Sequence, residues 1–411
     1  MNNPDIPVYG RSPVFNILVA IYILLIGNGM LTIFLSVNLA TKHVSTGIIG
    51  LVMSGYYFGF IAGTRVAHRI VNSFGHIRAF VIFAAIAACS SLLHGVTSAL
   101  PAWLLLRFMF GFCFVGLYMV AESWLNHHAT ANRGHLLAVY TIVGNLGVAS
   151  GQLFLGFTSP QSLELILFTG FFITAGLLPI ALTRAENPVI DTAGTLSLGE
   201  LFRVAPMGIL FAVGSGIILG SYYTLAPAWG IRIGLDAKMV SYLMGSTLLG
   251  SVVFQIPIGK ISDKYDRRQI TIYICSIVTL LALAIAILAP RGWLLLPLVF
   301  LFGGFYYSLY PLAVCITADE FSRERLVAAS ATILQIWGIS AAFGPIISAW
   351  LMSAFGPDVL FYFFAVTGLL LTLTGYKWRR LGHVPEQQSE FIAVPRTTPI
   401  IAQLDPRTEE L

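Results

Sequence analysis

Gly259-Lys260-Ile261-Ser262-Asp263-Lys264-Tyr265-Asp266-Arg267-Arg268 is a charged interruption between two apolar runs, 239–259 and 270–289. It holds four cations (Lys260, Lys264, Arg267, Arg268) and two acids (Asp263, Asp266). Each flanking run has the roughly 20 apolar residues that a membrane crossing needs. The interruption therefore reads as a short loop joining two crossings, and its excess of Lys and Arg puts it on the cytoplasmic side.

The same pattern extends in both directions. Apolar runs fall near 14–40, 47–67, 79–96, 100–124, 134–157 and 164–182, then near 206–230, 239–259, 270–289, 293–318, 326–352 and 358–378. The reading is an all-α membrane protein whose twelve transmembrane helices form two six-helix bundles, 14–182 and 206–378. The first run is too long for a signal-peptide core. Residues 1–13 read as a cytoplasmic N-terminus and 183–205 as a cytoplasmic linker. In that linker Ser197-Leu198-Gly199-Glu200 has the form of a capping box, which starts a short helix. The polar stretch 379–411 is expected to be a disordered cytoplasmic tail. Eighteen Lys and Arg lie on the side of the quoted loop, against Lys42, Arg232, Lys238 and Arg291 on the other, so both termini are expected inside a bacterial inner membrane.

Composition agrees. The chain is 57% hydrophobic and 10% charged, against about 25% charged in a soluble domain. The net charge of +5 sits in short loops, which argues against nucleic acid. Cys89, Cys113, Cys275 and Cys315 lie inside apolar runs and form no C-x-x-C pair, so neither a disulfide framework nor a metal site is expected. No metalloprotease, hydrolase-elbow or phosphate-loop motif is present, which argues against an enzyme and against ATP drive. No cofactor is expected. The partners read as a small solute of unknown identity, the lipid bilayer and protons, with the chain a monomer.

The two halves repeat. Phe110-Gly111, Leu117-Tyr118 and Ala121 return as Phe302-Gly303, Leu309-Tyr310 and Ala313, and Arg133 as Arg325, each 192 positions later. Met53 and Gly59 return as Met244 and Gly250, 191 positions later. Parallel repeats of this kind enclose a midplane site at their interface.

The loop quoted first resembles the G-x-x-x-D-[RK]-x-G-[RK]-[RK] signature of the major facilitator superfamily, with Asp266 replacing the second glycine. The first-half loop, His68 to Arg78, is a degraded copy with Asn72 in the acid's place. Arg107-x-x-x-Gly111 is similar to the arginine motif of that family's fourth helix. Helix 5 carries Gly144, Gly147, Gly151 and Gly156 but lacks the antiporter proline. Ser215 to Ser221, Pro257-Ile258-Gly259 and Asn132-Arg133-Gly134 look most like the YcaD-like branch of putative transporters. The resemblance, over about 14–380, implies a secondary carrier working by alternating access, and proton-coupled efflux of amphipathic compounds. Uptake of a small metabolite, or a non-transporting receptor or lipid-handling protein on the same scaffold, is the alternative.

Individual residues sharpen this. Arg107 lies deep in the fourth run, where an unpaired charge is costly, so it should face protein or water. It reads as a substrate or coupling contact, or as a brace for its helix. At 100° per residue Arg107, Gly111, Tyr118 and Glu122 share one arc, as do Gly303, Tyr306, Tyr307 and Tyr310. Two such stripes suit an aromatic cavity or helix packing equally. Asn28, Asn145, Tyr222, Tyr223 and Trp337 are further candidates for the cavity. For the gating loops the candidates are Gly259, Asp263, Lys264, Arg267, Arg268, Asn72, Arg78, Glu122, Arg133 and Arg325. Glu122 is expected near the cytoplasmic end, paired with Arg78 or Arg133. Asp263 is expected to sit on the N-terminus of helix 5 near Arg133 when the far side opens, or else to pair within its own loop; Asn72, opposite Arg325, should hold more weakly.

Overall fold

The structure is a computed structural model, and it describes residues 13–128, 133–159, 162–183, 188, 190, 194–288, 292–381 and 388–405. Among these described residues fifteen α-helices follow one another. They are α1 (Pro13–Thr41), α2 (Thr46–Phe74), α3 (His76–Val96), α4 (Leu100–His128), α5 (Arg133–Leu153), α6 (Glu164–Ala175), α7 (Leu177–Ala181) and α8 (Leu198–Val204). After these come α9 (Pro206–Arg232), α10 (Ala237–Lys264), α11 (Arg267–Leu288), α12 (Leu295–Tyr307), α13 (Leu309–Ala318), α14 (Arg323–Phe355) and α15 (Val359–Leu381). Among the described residues twelve segments are long and apolar enough to cross a membrane; α6 with α7, and α12 with α13, each make one of them. Arg11, Arg184, Arg291 and Arg407 lie outside the described residues, as do most of residues 1–13 and Asn132.

Internal duplication is visible in the packing. A Cβ added at Gly59 would lie 1.9 Å from the Phe108 carbonyl oxygen, and one at Gly111 would lie 2.0 Å from that of Tyr56. In the second half, Gly250 faces the Phe300 carbonyl at 1.9 Å and Gly303 that of Thr247 at 2.2 Å. α2 thus meets α4, and α10 meets α12, backbone to backbone. Lipid offers no hydrophobic drive between helices, so van der Waals contact of this closeness is what binds them.

The interbundle seam differs at its two ends. On the face away from the linker, Gly50 of α2 packs on Pro345 and Ala349 of α14, the Gly47 N–H donates to Ser353 Oγ at 2.9 Å, and Arg232 donates to the Val44 carbonyl at 2.5 Å. On the linker face the bundles part. The cleft there is filled by residues 388–405, which run in without regular secondary structure and finish in a 3₁₀ turn, Pro399–Leu404. This corrects the expectation of a disordered tail for the described part of 379–411. Thr398, Ile400, Ile401 and Ala402 are buried, because Val394-Pro395-Arg396-Thr397-Thr398-Pro399-Ile400-Ile401 is an apolar, proline-stiffened segment set within a polar sequence.

Candidate functional site

Between the bundles lies a cavity of about 160 Å³. Asn28 on α1, Tyr56 and Tyr57 on α2, Arg107 and Tyr118 on α4, and Tyr140 and Asn145 on α5 line its first half. Tyr223 on α9, Gln255 on α10, Tyr307 on α12, Pro311 on α13 and Trp337 on α14 line the second, and Val394 to Thr397 of the tail close the linker-face side.

Arg107 is 1% exposed, with its guanidinium 5.0 Å from the Tyr56 ring and 5.8 Å from that of Phe110. These rings supply cation–π attraction in place of a counter-ion. Gly55 opposite makes room: a Cβ there would stand 3.2 Å from the Arg107 Cβ.

The tail's Arg396 enters from the other side. It stacks 4.9 Å from the Tyr307 ring and 5.5 Å from that of Tyr310, and it donates to the Tyr307 carbonyl. That carbonyl is free for a local reason. Its intrahelical donor would be the N–H of residue 311, and Pro311 has none.

Not every expected tyrosine reaches the cavity. Neighbours on a helix point about 100° apart, so of each adjacent pair only Tyr223 and Tyr307 face inward. Tyr222 and Tyr306 turn into the second bundle. Tyr222 shares a 2.5 Å hydrogen bond with Thr247, and both pack on Phe302. Tyr310 is buried against Trp337, with ring centroids 5.7 Å apart. Asn145 lines the cavity and reaches Ser251 of the other half at 3.4 Å.

Glu122 also differs from expectation. It accepts hydrogen bonds from the Tyr140 hydroxyl at 2.9 Å and from Thr398 of the tail. Neither Arg78 nor Arg133 pairs with it: Arg78 is exposed, and Arg133 donates to the Gln403 carbonyl at 3.0 Å. α4 runs on to His128 and the tail lies over its end, which covers Glu122 completely.

The profile of the Major Facilitator Superfamily matches residues 17–306 and 209–402. The chain belongs to the major facilitator superfamily. It is 27% identical over 382 residues to the uncharacterized MFS-type transporter YcaD of Shigella flexneri, covering 91% of this chain and 97% of that one; the Escherichia coli K12 protein of the same description gives 27% over 383 residues. Its fold resembles the crystal structure of the nucleoside transporter NupG, with TM-score 0.75, 14% identity, and coverage of 90% of this chain and 100% of that one. It also resembles a bacterial homolog of the human lysosomal transporter Spinster in an inward-facing, occupied conformation, with TM-score 0.67, 14% identity, and coverage of 90% and 97%. The chain is a multi-pass membrane protein of a transporter family.

In this facilitator the signature loop is organised around the tail. Asp263 accepts from Arg267 at 3.0 Å and from the Phe391 N–H at 2.7 Å, so in this state it pairs locally. Arg267 also binds Asp319 at 2.6 Å and the Ser389 carbonyl at 2.5 Å, and Arg268 binds Glu320. The Phe391 ring fills the space beside Gly259, 2.2 Å from where a Cβ would be. Asp266, at the departed glycine position, accepts from the Arg268 N–H at 3.0 Å and pairs with Arg379 at 2.9 Å. It thus caps α11. Lys264 is exposed. Asn72 exchanges hydrogen bonds with Ile190 of the linker at 3.1 and 3.2 Å. Arg325 pairs with Glu200 on α8.

Tyr56, Tyr57, Tyr140, Gln255, Pro311 and Arg396 are among the cavity residues that the sequence reading missed. The adjacent tyrosines of α2 carried a signal as polar-tipped rings within an apolar run, and both line the cavity. The buried tail carried one in its apolar segment, which charge counting obscured.

Proposed function

We propose that this facilitator is a secondary active carrier that moves a small amphipathic solute across a bacterial inner membrane by alternating access, with the linker face and both termini cytoplasmic. One observation carries the reading. A cavity is lined from both duplicated halves, with helix contacts between the bundles on one face and the tail segment Val394 to Thr397 in its wall on the other. That is the arrangement expected of a carrier held in its cytoplasm-facing state.

We also propose that protons drive it and that Glu122 is the coupling group. It is a buried carboxylate held only by hydroxyls, and it touches the element that would have to leave. The test is flux in proteoliposomes under an imposed pH gradient, across a panel of metabolites and lipophilic ions. Saturable, gradient-dependent uptake or release supports the carrier. Binding of solutes with no flux under any gradient would instead leave a receptor on the carrier scaffold.

A further inference from the structure

Among the described residues, the buried polar atoms of the cavity that meet no partner are the Thr397 hydroxyl, which can donate or accept, and four that can only donate. Arg107 Nε and Nη1, Arg396 Nε and Trp337 Nε1 are buried and find no acceptor among the described residues. All three residues line the one cavity. A buried donor left unsatisfied costs about 1–3 kcal/mol, and more when charged. Four in one space, two of them on a single guanidinium, is a costly arrangement unless something with acceptors fills it.

The local acceptors do not meet that need. Among the described residues no Asp or Glu pairs with either arginine, and Glu122 is occupied by Tyr140 and Thr398. Both arginines line the same cavity as Tyr57. Two like charges near one low-dielectric space repel unless a negative charge lies between them.

We propose that the cavity is a binding site for an organic anion: a carboxylate, phosphonate or similar head held by Arg107 and by Arg396 of the tail, on a planar apolar body packed among Tyr56, Tyr57, Tyr307 and Trp337. The inference names the solute class for the carrier proposed above and rests on that reading. The volume of about 160 Å³ suits it, since a dry cavity on the order of 150 Å³ holds a benzene ring. The tail then does more than close the cleft, because it brings one of the two cations. When it withdraws, the anion loses half of its charge partners on the side where it must leave, so opening and release become one event.

The test uses the full chain in detergent and reads equilibrium binding by calorimetry and thermal shift. The probes are benzoate, phenylacetate and phenylphosphonate, set against benzamide, phenylacetamide, benzyl alcohol and benzylammonium. At least one anion should bind and stabilise, while its uncharged counterpart and benzylammonium do not at the same concentration. Arg107→Gln and Arg396→Gln should each weaken that anion about ten-fold or more, as loss of a charged hydrogen bond does. Arg396 lies outside the helices, so its variant also guards against a folding artefact. If no anion binds better than its uncharged counterpart, the site is not an anion site. If Arg396→Gln leaves the affinity unchanged, the tail has no part in it. Anion binding without flux would overturn the carrier reading and keep this one; flux of a cation with no anion binding would do the reverse.

Discussion

At the scale of single residues, two side chains carry consequences that sequence alone did not rank. Pro311 leaves the Tyr307 carbonyl free for Arg396. Pro311→Ala should restore the helical N–H, draw that carbonyl back into its helix and loosen the tail. Limited proteolysis would then cut after Arg396 faster in the variant than in the parent; equal rates would mean that the carbonyl is not what holds Arg396. Among the described residues no cation pairs with Glu122, so exchanging it for an uncharged isostere removes no ion pair seen there. Glu122→Gln should keep thermal stability while abolishing uphill transport on a pH gradient and sparing solute exchange. A variant that still concentrates solute would remove Glu122 from proton coupling.

At the scale of elements, the duplicated backbone contacts and the tail make opposite demands. Gly59 and Gly250 sit where the paired helix leaves no room for a Cβ. Gly59→Ala and Gly250→Ala should each cost about 1–3 kcal/mol by overpacking, whereas Gly199→Ala, with nothing within 4 Å, should be neutral or better within α8. Denaturation in detergent would check this, and an equal tolerance at all three sites would mean that the helices can part easily. The tail is held by buried apolar groups and single hydrogen bonds, so it should be displaceable. With Cys89 replaced, Ile401→Asp should speed labelling of a cysteine placed at Tyr118 by a hydrophilic thiol reagent. Unchanged labelling would mean that the tail does not guard the cavity. The twelve runs and their repeat were legible because membrane crossings are long and period-independent. The tail was not, since residues 388–405 gain their burial from surfaces that exist only after both bundles have formed. Likewise Tyr222 and Tyr223 look alike as letters, and only the helix phase separates core from cavity.

For the whole molecule, the question is what balances the two faces. The far-face lock joins the halves through Arg232 to Val44 and Gly47 to Ser353. A single exposed hydrogen bond contributes about 0.5–1.5 kcal/mol net, enough to shift a balanced two-state carrier several-fold without freezing it. Arg232→Ala should therefore enlarge the population open on the far face. Spin labels at His43 and Asp236, on loops of opposite halves, would report longer distances; an unchanged distribution would place the lock elsewhere. We propose that in a far-open state Asp263 would exchange its Phe391 contact for the start of α5, as the dipole of that helix end favours.

The placement of the tail also orders the protein's manufacture. Residues 388–405 follow the last crossing in the chain, so a ribosome adds them after α15 has been made. At about 5–20 residues per second, the stretch from 382 to 405 takes roughly 1–5 s to synthesise. For that interval the newborn protein has all twelve crossings and a gaping, arginine-lined mouth. The bundles must hold together unaided through that interval, with the far-face contacts as the seal until residues 388–405 fill the cleft.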